Sequence, residues 1–594
     1  MKIYIVCLAI VTLLVSCGEK DASEINTTTT AVEKVPVDLL TPFEKGNGNQ
    51  TATYEEAIEF YEKLSSEFST ISMEEVGTTD AGEPLHLVTY AHSSVDWSVP
   101  NKEKIKILVN NGIHPGESDG IDATMVLMRD LASGTFKTPE NLIFSAIVVY
   151  NVGGALNRNS TTRTNQNGPE SYGFRGNARN YDLNRDFIKA DTRNARAFYQ
   201  IYHKIYPDIF IDNHVSNGAD YQYTLTHLFT QHNKLGHAAG NYVHNSLQPQ
   251  LEKRLMERDI PITPYVNVHD DAPEKGFSQF IDHPRYSTGY TALWNTLGMM
   301  VETHMLKPYS DRVKGTKAIM EEMIFIGTSN MAQIKQARIN NFNSFAASSS
   351  YALNHEINYH VADTLDFMGY QARRDKSKLT GNPLLTYDRN APFTKKTTYH
   401  AYTTGTDSIT IPTHYIIPKG YHKVLELLRL NNIQMDLVPN DSTMLVERYR
   451  IKAYQTTSRP YEGHFPHRNV ELEKETVELR FRESDVIIPT SQPGIRYLLE
   501  TLEPMAQDSF FKWNFFDTIL QQKEGFSSYV FENTARELME NDPALQKQFD
   551  SIKRKNKDFA RSNRAQLDWL HKRSVNYEPA HLVYPIYRYN GGNQ

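Results

Sequence analysis

Four residues able to hold a metal or move a proton each sit just past a hydrophobic run. His114 and Glu117 stand three apart in NNGIHPGESDG, after the run 105–109; His214 closes DIFIDNH, and Glu302 closes GMMVE. Roughly one His-x-x-Glu pair is expected by chance in a chain with 21 histidines, so that pair alone carries no weight. All four in the same context are far less expected. Two His and one Glu form the ligand set of a catalytic zinc that keeps one position open for water. Such an ion lowers the pKa of its water and polarises a carbonyl. A carboxylate must then take the proton and pass it to the leaving amine, and Glu302 is the candidate. Cys7 and Cys17 are the only cysteines, so thiolates are excluded as ligands in the body of the protein.

Strands are needed to bring these residues together. From about 100 to 310 a hydrophobic run, a polar loop and a helical segment repeat: IKILV, IFSAIVVY, DIFI and GMMV are the runs, and IDATMVLMRDL has helical spacing. The pattern predicts a mostly parallel or mixed central sheet with helices on both faces. Functional groups then collect beyond the carboxyl ends of the strands. In TYEEAIEFYEKLSSEF, Ala57, Phe60, Tyr61 and Leu64 share one helical face. The helical stretch 316–340 closes or exits this domain.

At 594 residues the chain is too long for one ordinary domain. Residues 1–16 have the layout of a signal peptide, with an apolar part too short to cross a bilayer. Leu14-Val15-Ser16-Cys17 resembles a bacterial lipobox, which predicts an exported protein tied to the cell envelope through a lipid on Cys17; ordinary secretion is the alternative. Residues 17–50 are polar and read as a tether, residues 51–345 as the domain carrying the motifs, and 346–594 as a separate C-terminal α/β region. That region caps the site, recognises a larger substrate or dimerises; the sequence does not choose. A net charge of −7 without a long basic run argues against nucleic acid as a partner.

FRGNARNYDLNRDF (174–187) completes a resemblance. HPGE, the distant His214, DLNRDF and the late strand-end Glu302 resemble the zinc metallocarboxypeptidases, the carboxypeptidase A superfamily, over roughly residues 51–315; VGTTDAGEPLHLVTYA looks like that family's first strands. The resemblance implies one Zn²⁺ per chain on His114, Glu117 and His214, with Asp182 orienting His114. It implies Asn184 and Arg185 on the free C-terminal carboxylate of a peptide substrate, Glu302 as general base and acid, and Arg175 as oxyanion donor, with Arg163 and Arg179 as alternatives. A tyrosine that closes over the substrate is expected from HPRYSTGYTALWN, where Tyr290 is taken over Tyr286. His214 is followed by Val215-Ser216-Asn217, a departure from the family's Ser-Tyr. Two other functions stay open: a zinc amidase or deacylase acting on cell-wall peptides or N-acyl amino acids, and a surface-binding lipoprotein without turnover.

Overall fold

A computed structural model describes residues 39–591; the signal segment, Cys17 and most of the tether lie outside the described residues. Thr53 and Glu56 form a capping box that starts the helix Tyr54–Glu67, and the predicted face of Ala57, Phe60, Tyr61 and Leu64 is buried.

The central sheet contains β1 (Ile71–Val76), β2 (Leu85–Ala91), β3 (Ile105–Asn110), β4 (Leu142–Ile147), β5 (Ile209–Ser216), β6 (Leu225–Phe229) and β7 (Ile262–Pro264). A two-residue strand, β8 (Phe277–Ser278), belongs to another sheet, and β9 (Leu297–His304) completes this one in the order β1-β2-β4-β3-β5-β9-β6-β7. The core β4-β3-β5-β9 is parallel, and antiparallel pairs flank it. β5 shows why both faces are covered. Its inner residues alternate: Ile209 lies under Gly327 of the helix Tyr309–Ser329, and Asn213 under Gly120 of the helix Asp119–Ala132. On the other side Phe210 packs edge-on against Phe198 at 6.0 Å, in the helix Arg193–Ile205. Asp212, also on that side, accepts from Ser287 Oγ at the start of the helix Ser287–Ala292.

Residues 39–50 depart from the expected tether. Leu39 and Phe43 are buried, Phe43 meets the Tyr309 ring at 5.9 Å, and Arg129 Nη1 donates to Leu39 O and Glu44 Oε2 at 3.1 and 2.6 Å. The buried Leu39 and Phe43 side chains, with the Arg129 contacts, dock this stretch.

The helix Met331–Asn343 leads into the C-terminal region. There β10 (Ser350–Ile357), β11 (Asp363–Lys376), β12 (Pro383–His400) and β13 (Thr403–Thr410) form two antiparallel pairs, β10–β13 and β11–β12, with β8 added in parallel to β12. The distal end of the β11–β12 ribbon is largely exposed, and only its base alternates, with Leu365, Phe367, Thr397 and Tyr399 turned inward. β14 (His414–Ile417), β15 (Asp436–Leu437), β16 (Ser442–Thr456), β17 (His467–Phe481), β18 (Val486–Pro489) and β19 (Tyr587–Tyr589) make a second sheet in the order β15-β18-β14-β19-β16-β17. One apolar core runs from the central sheet into this region through Tyr290, Trp294, Tyr497 and Phe510. No helix among the described residues is long and apolar enough to cross a membrane.

Candidate active site

The register of the parallel core makes the site. β5 and β9 pair with His214 opposite Glu302, and β3 pairs with β5 with Asn110 opposite Asp212. The loop after β3 therefore reaches the same sheet end. It turns tightly, Glu117 N donating to His114 O at 2.7 Å. A side chain on Gly116 would run into Arg163 Cδ at 2.5 Å.

Here His114, Glu117 and His214, all buried, offer ligand atoms within 4.8 Å of one another. Each imidazole is turned by a carboxylate behind it. His114 Nε2 donates to Asp182 Oδ1 at 3.0 Å, and His214 Nε2 to Asp212 Oδ2 at 2.9 Å. Asp212 also accepts from Asn110 Nδ2 at 3.2 Å and from Ser287 Oγ. The proton on Nε2 leaves Nδ1 as the atom presented to Glu117, at 3.2 Å for His114 and 3.1 Å for His214. That is the arrangement a metal-bound histidine needs, with its other nitrogen donating to a carboxylate. Charge agrees. Burial opposes ionisation of Glu117, yet His114 and Arg163 hold its pKa well below the usual range. Burial disfavours charge on His214 too, yet Asp212, Glu117 and Glu302 raise it well above the usual value. Positive charge is favoured at this spot, and the three side chains fit a divalent ion with nitrogen and oxygen donors.

Glu302 is partly buried at the end of β9. Burial, and behind it the Glu117 and Asp212 charges, pushes its pKa up to about 7, against the pull of His214 and Arg175. A carboxyl poised near neutrality suits proton transfer; a bound cation would draw it back down. His304 pairs with Asp220 at 3.0 Å, so it does not tie up Glu302.

Arg175 lines the same cleft of about 220 Å³. Its Nε and Nη2 donate to Asp182 Oδ2 at 3.1 and 2.8 Å, and its Nη1 lies 3.6 Å from Glu117 Oε1. Of the alternatives, Arg163 also reaches the cluster, its Nη2 donating to Glu117 Oε1 at 2.8 Å, and Arg179 Nη1 donates to Asp191 O at 3.1 Å, but neither lines the cleft as Arg175 does. Asn184 and Arg185 follow Asp182 in one 3₁₀ turn, with Asp182 Oδ1 accepting from Asn184 N at 3.0 Å. Asn184 Oδ1 accepts from Ser287 N at 3.1 Å, which leaves its amide N–H groups as the donors facing the cleft.

Tyr290 is not at the cleft and the expectation placed on it is corrected. It is fully buried, stacks on Tyr199 at 5.2 Å, meets Tyr497 at 6.5 Å, and donates to Asn431 Oδ1 at 2.6 Å. One turn into its helix it points into the core, and the C-terminal region seals it there. Tyr286, at the N-cap, lines the cleft with Arg185 over its ring at 4.7 Å. Tyr265, Phe280, Met300 and Leu228 supply the apolar wall, and His269 the rim.

Sequence reasoning missed two supports. Asp212 had a signal, two residues before His214 on a strand and hence on the same face. Glu462 had none: it is 280 residues from Asp182, yet its carboxylate accepts from Asp182 N at 2.9 Å. His464 Nε2, beside it, lies 2.7 Å from Asp191 Oδ2, and Trp513 and Arg285 pack around the same loop. The C-terminal region thus buttresses the segment carrying Asp182, Asn184 and Arg185. Residues 459–466 form a loop and His467–Asn469 open β17, while the aromatic stretch 508–516 is interdomain core, with Asp508 paired to Arg285 at 2.8 Å.

A mixed α/β domain with a His-Glu-His cluster at the carboxyl ends of its strands is the class that fold and geometry define. Compared with known proteins, the chain is similar to metallocarboxypeptidases. No family model matches it. Over 246 residues, 39% of this chain, it is 23% identical to Carboxypeptidase 2 of Trichophyton rubrum, and the match spans 42% of that protein, less than half its length. Among solved structures, a metallo-carboxypeptidase from Burkholderia cenocepacia matches 47% of this chain and 70% of its own at 15% identity and a TM-score of 0.36. Carboxypeptidase A from Helicoverpa armigera matches 49% of this chain and 74% of its own at 12% identity and a TM-score of 0.35.

Proposed function

We propose that this chain is a zinc-dependent carboxypeptidase that releases C-terminal residues from peptides. The observation that carries the reading is the register pair His214–Glu302, which sets a carboxyl poised near neutrality beside a carboxylate-oriented His-Glu-His cluster. His114 Nδ1, His214 Nδ1 and Glu117 would hold the zinc, which when bound acidifies a water and polarises the scissile carbonyl. Glu302 takes the water's proton and delivers it to the departing amine nitrogen. Arg175, held by Asp182, donates to the oxygen on which negative charge develops. The Arg185 fork and the Asn184 amide bind the free carboxylate, and the Tyr286 ring backs the guanidinium at 4.7 Å. Asp182 and Asp212 keep both imidazoles in the tautomer that offers Nδ1. The reading extends to an exported chain anchored through a lipid on Cys17, for which the opening residues are the support.

The test is zinc content together with mass-spectrometric analysis of a mixed peptide library, wild type beside Glu302→Gln. About one zinc per chain in both proteins, with single C-terminal residues lost in the wild type alone, is expected. Zinc bound with peptides intact but N-acyl amino acids or cell-wall peptides cleaved would replace this reading with the amidase one. Near-normal turnover by Glu302→Gln would remove Glu302 from its role.

A further inference from the structure

At the opposite end of the sheet, where β3, β5 and β9 begin, lies a second cavity of about 400 Å³. Its charged residues are Lys102, Lys106, Lys335, Arg338 and Asp208, four cations against one acid. The acid is already occupied. Arg338 Nη1 donates to Asp208 Oδ1, while Lys335 Nζ lies 3.4 Å from Oδ2 and the backbone N of Lys106 donates to Oδ2 at 3.1 Å.

Lys106 is the anomaly. It is only 7% exposed, yet among the described residues its ammonium has neither a hydrogen bond nor an ion pair. Its one neighbour of note is the face of Tyr206, 5.8 Å from the ring centroid. Burying a charge without an acceptor is costly, and burial, aided by Arg338 and Lys335, pushes its pKa down to about 8 against the pull of Asp208. Apart from Asn295 and Tyr206 the rest of the lining is apolar, chiefly Trp294, Phe342 and Ile339, with Pro493 from the C-terminal region. An orphan ammonium inside an apolar chamber of small-molecule size is complementary to one chemistry.

We infer that this cavity binds an organic carboxylate with an apolar body, a medium-chain alkanoate or an arylalkanoate, its headgroup on Lys106 and its body between Trp294 and Phe342. An inorganic anion would leave the apolar walls uncovered, and a neutral apolar molecule would leave the ammonium unpaired. The cavity lies about 20–25 Å from the metal-site cluster, the length of an eight-residue strand, so it is independent of the catalytic reading.

Calorimetric titration of the whole chain with octanoate, and with octanol as its uncharged counterpart, tests this. Arg185→Met removes the carboxylate subsite proposed in the catalytic cleft. Octanoate is expected to bind wild type and Arg185→Met alike, with octanol at least about tenfold weaker. Lys106→Met and Ile339→Trp, the second filling the cavity from its exposed rim, should each weaken octanoate about tenfold or more. Lys106→Met should also melt no lower than wild type, since it removes an unpaired buried charge. Should Lys106→Met fail to fold, Ile339→Trp still decides. No binding, equal binding of octanol, loss in Arg185→Met alone, or unchanged affinity in Ile339→Trp would each overturn the assignment.

Discussion

Replacing Asp182 by Asn probes how this site fixes its histidine. Asp182 is 14% exposed on its side chain and both oxygens are in use. Oδ1 accepts from His114 Nε2 and from Asn184 N, each at 3.0 Å. Oδ2 accepts from Arg175 Nε and Nη2 at 3.1 and 2.8 Å. Burial opposes its ionisation, but His114, Arg175 and Arg185 hold its pKa far below the usual carboxylate range. An Asn of the same shape has one acceptor and cannot serve both sides. With its oxygen toward His114, its amide N–H groups face the Arg175 donors. Flipped, its N–H groups face His114 Nε2 and drive the imidazole proton onto Nδ1, the atom meant for the metal. Loss of such an orienting carboxylate typically costs 10–100-fold in metal affinity, about 1.4–2.7 kcal/mol. Competition with a chromophoric chelator measures zinc affinity directly, with thermal melts of the zinc-free proteins confirming that the Asp182→Asn chain is folded. Zinc affinity within about twofold of wild type in a folded Asp182→Asn protein would refute the claim that Asp182 sets the His114 tautomer.

Tyr290→Phe should cost about 1 kcal/mol by chemical denaturation, because Asn431 Oδ1 loses its shorter buried contact and keeps the longer one to His203 Nε2 at 3.4 Å, and leave kcat/KM unchanged. Tyr286→Ala should instead raise KM about 2–5-fold for substrates with a free carboxylate, the worth of its contact with Arg185. Arg496→Met should destabilise by about 2 kcal/mol or more: its buried guanidinium donates to the carbonyls of Lys234, Leu235 and Ala292 at 2.7–2.9 Å, and although Leu235 O keeps Asn341 Nδ2 and Ala292 O keeps Asn295 N, three charge-assisted hydrogen bonds are lost. A smaller loss would mean that this arginine does not hold the two regions together. Acid should destabilise the chain. Burial pushes the pKa values of His203, His232 and His283 down to about 4. Between pH 6.5 and 4 the unfolded chain therefore binds more protons, and stability falls as pH falls. The slope is at most about 1.4 kcal/mol per pH unit for buried His232 and less for the other two, which are partly exposed. Denaturation midpoints at pH 7, 6 and 5 in chelator measure it, and His232→Gln should flatten the slope; an unchanged slope would exclude His232 as a contributor.

Much of the domain that carries the candidate site was legible because it follows from local rules. Hydrophobic runs ending in His214 and Glu302 mark strands whose carboxyl ends must meet in a parallel sheet, and HPGE follows a run of the same kind. DLNR places Asp182, Asn184 and Arg185 within one short turn, so their proximity is covalent. The choice between Tyr286 and Tyr290 was not local. One turn of helix separates them, and the core that buries Tyr290 is built from Asn431 and Tyr497, far along the chain. The β11–β12 ribbon was less legible for a different reason: its distal end is largely exposed, and the alternation is confined to a few residues at its base.

The sequence by itself therefore determined the ligand types, their order and the sheet that gathers them, because hydrophobic period and turn chemistry act over a few residues. Only the tertiary structure decided the strand register that sets His214 opposite Glu302, the docking of residues 39–50, and the use of Glu462 to brace Asp182. Those depend on which distant surfaces bury one another, and side-chain packing across 280 residues leaves no pattern in one chain.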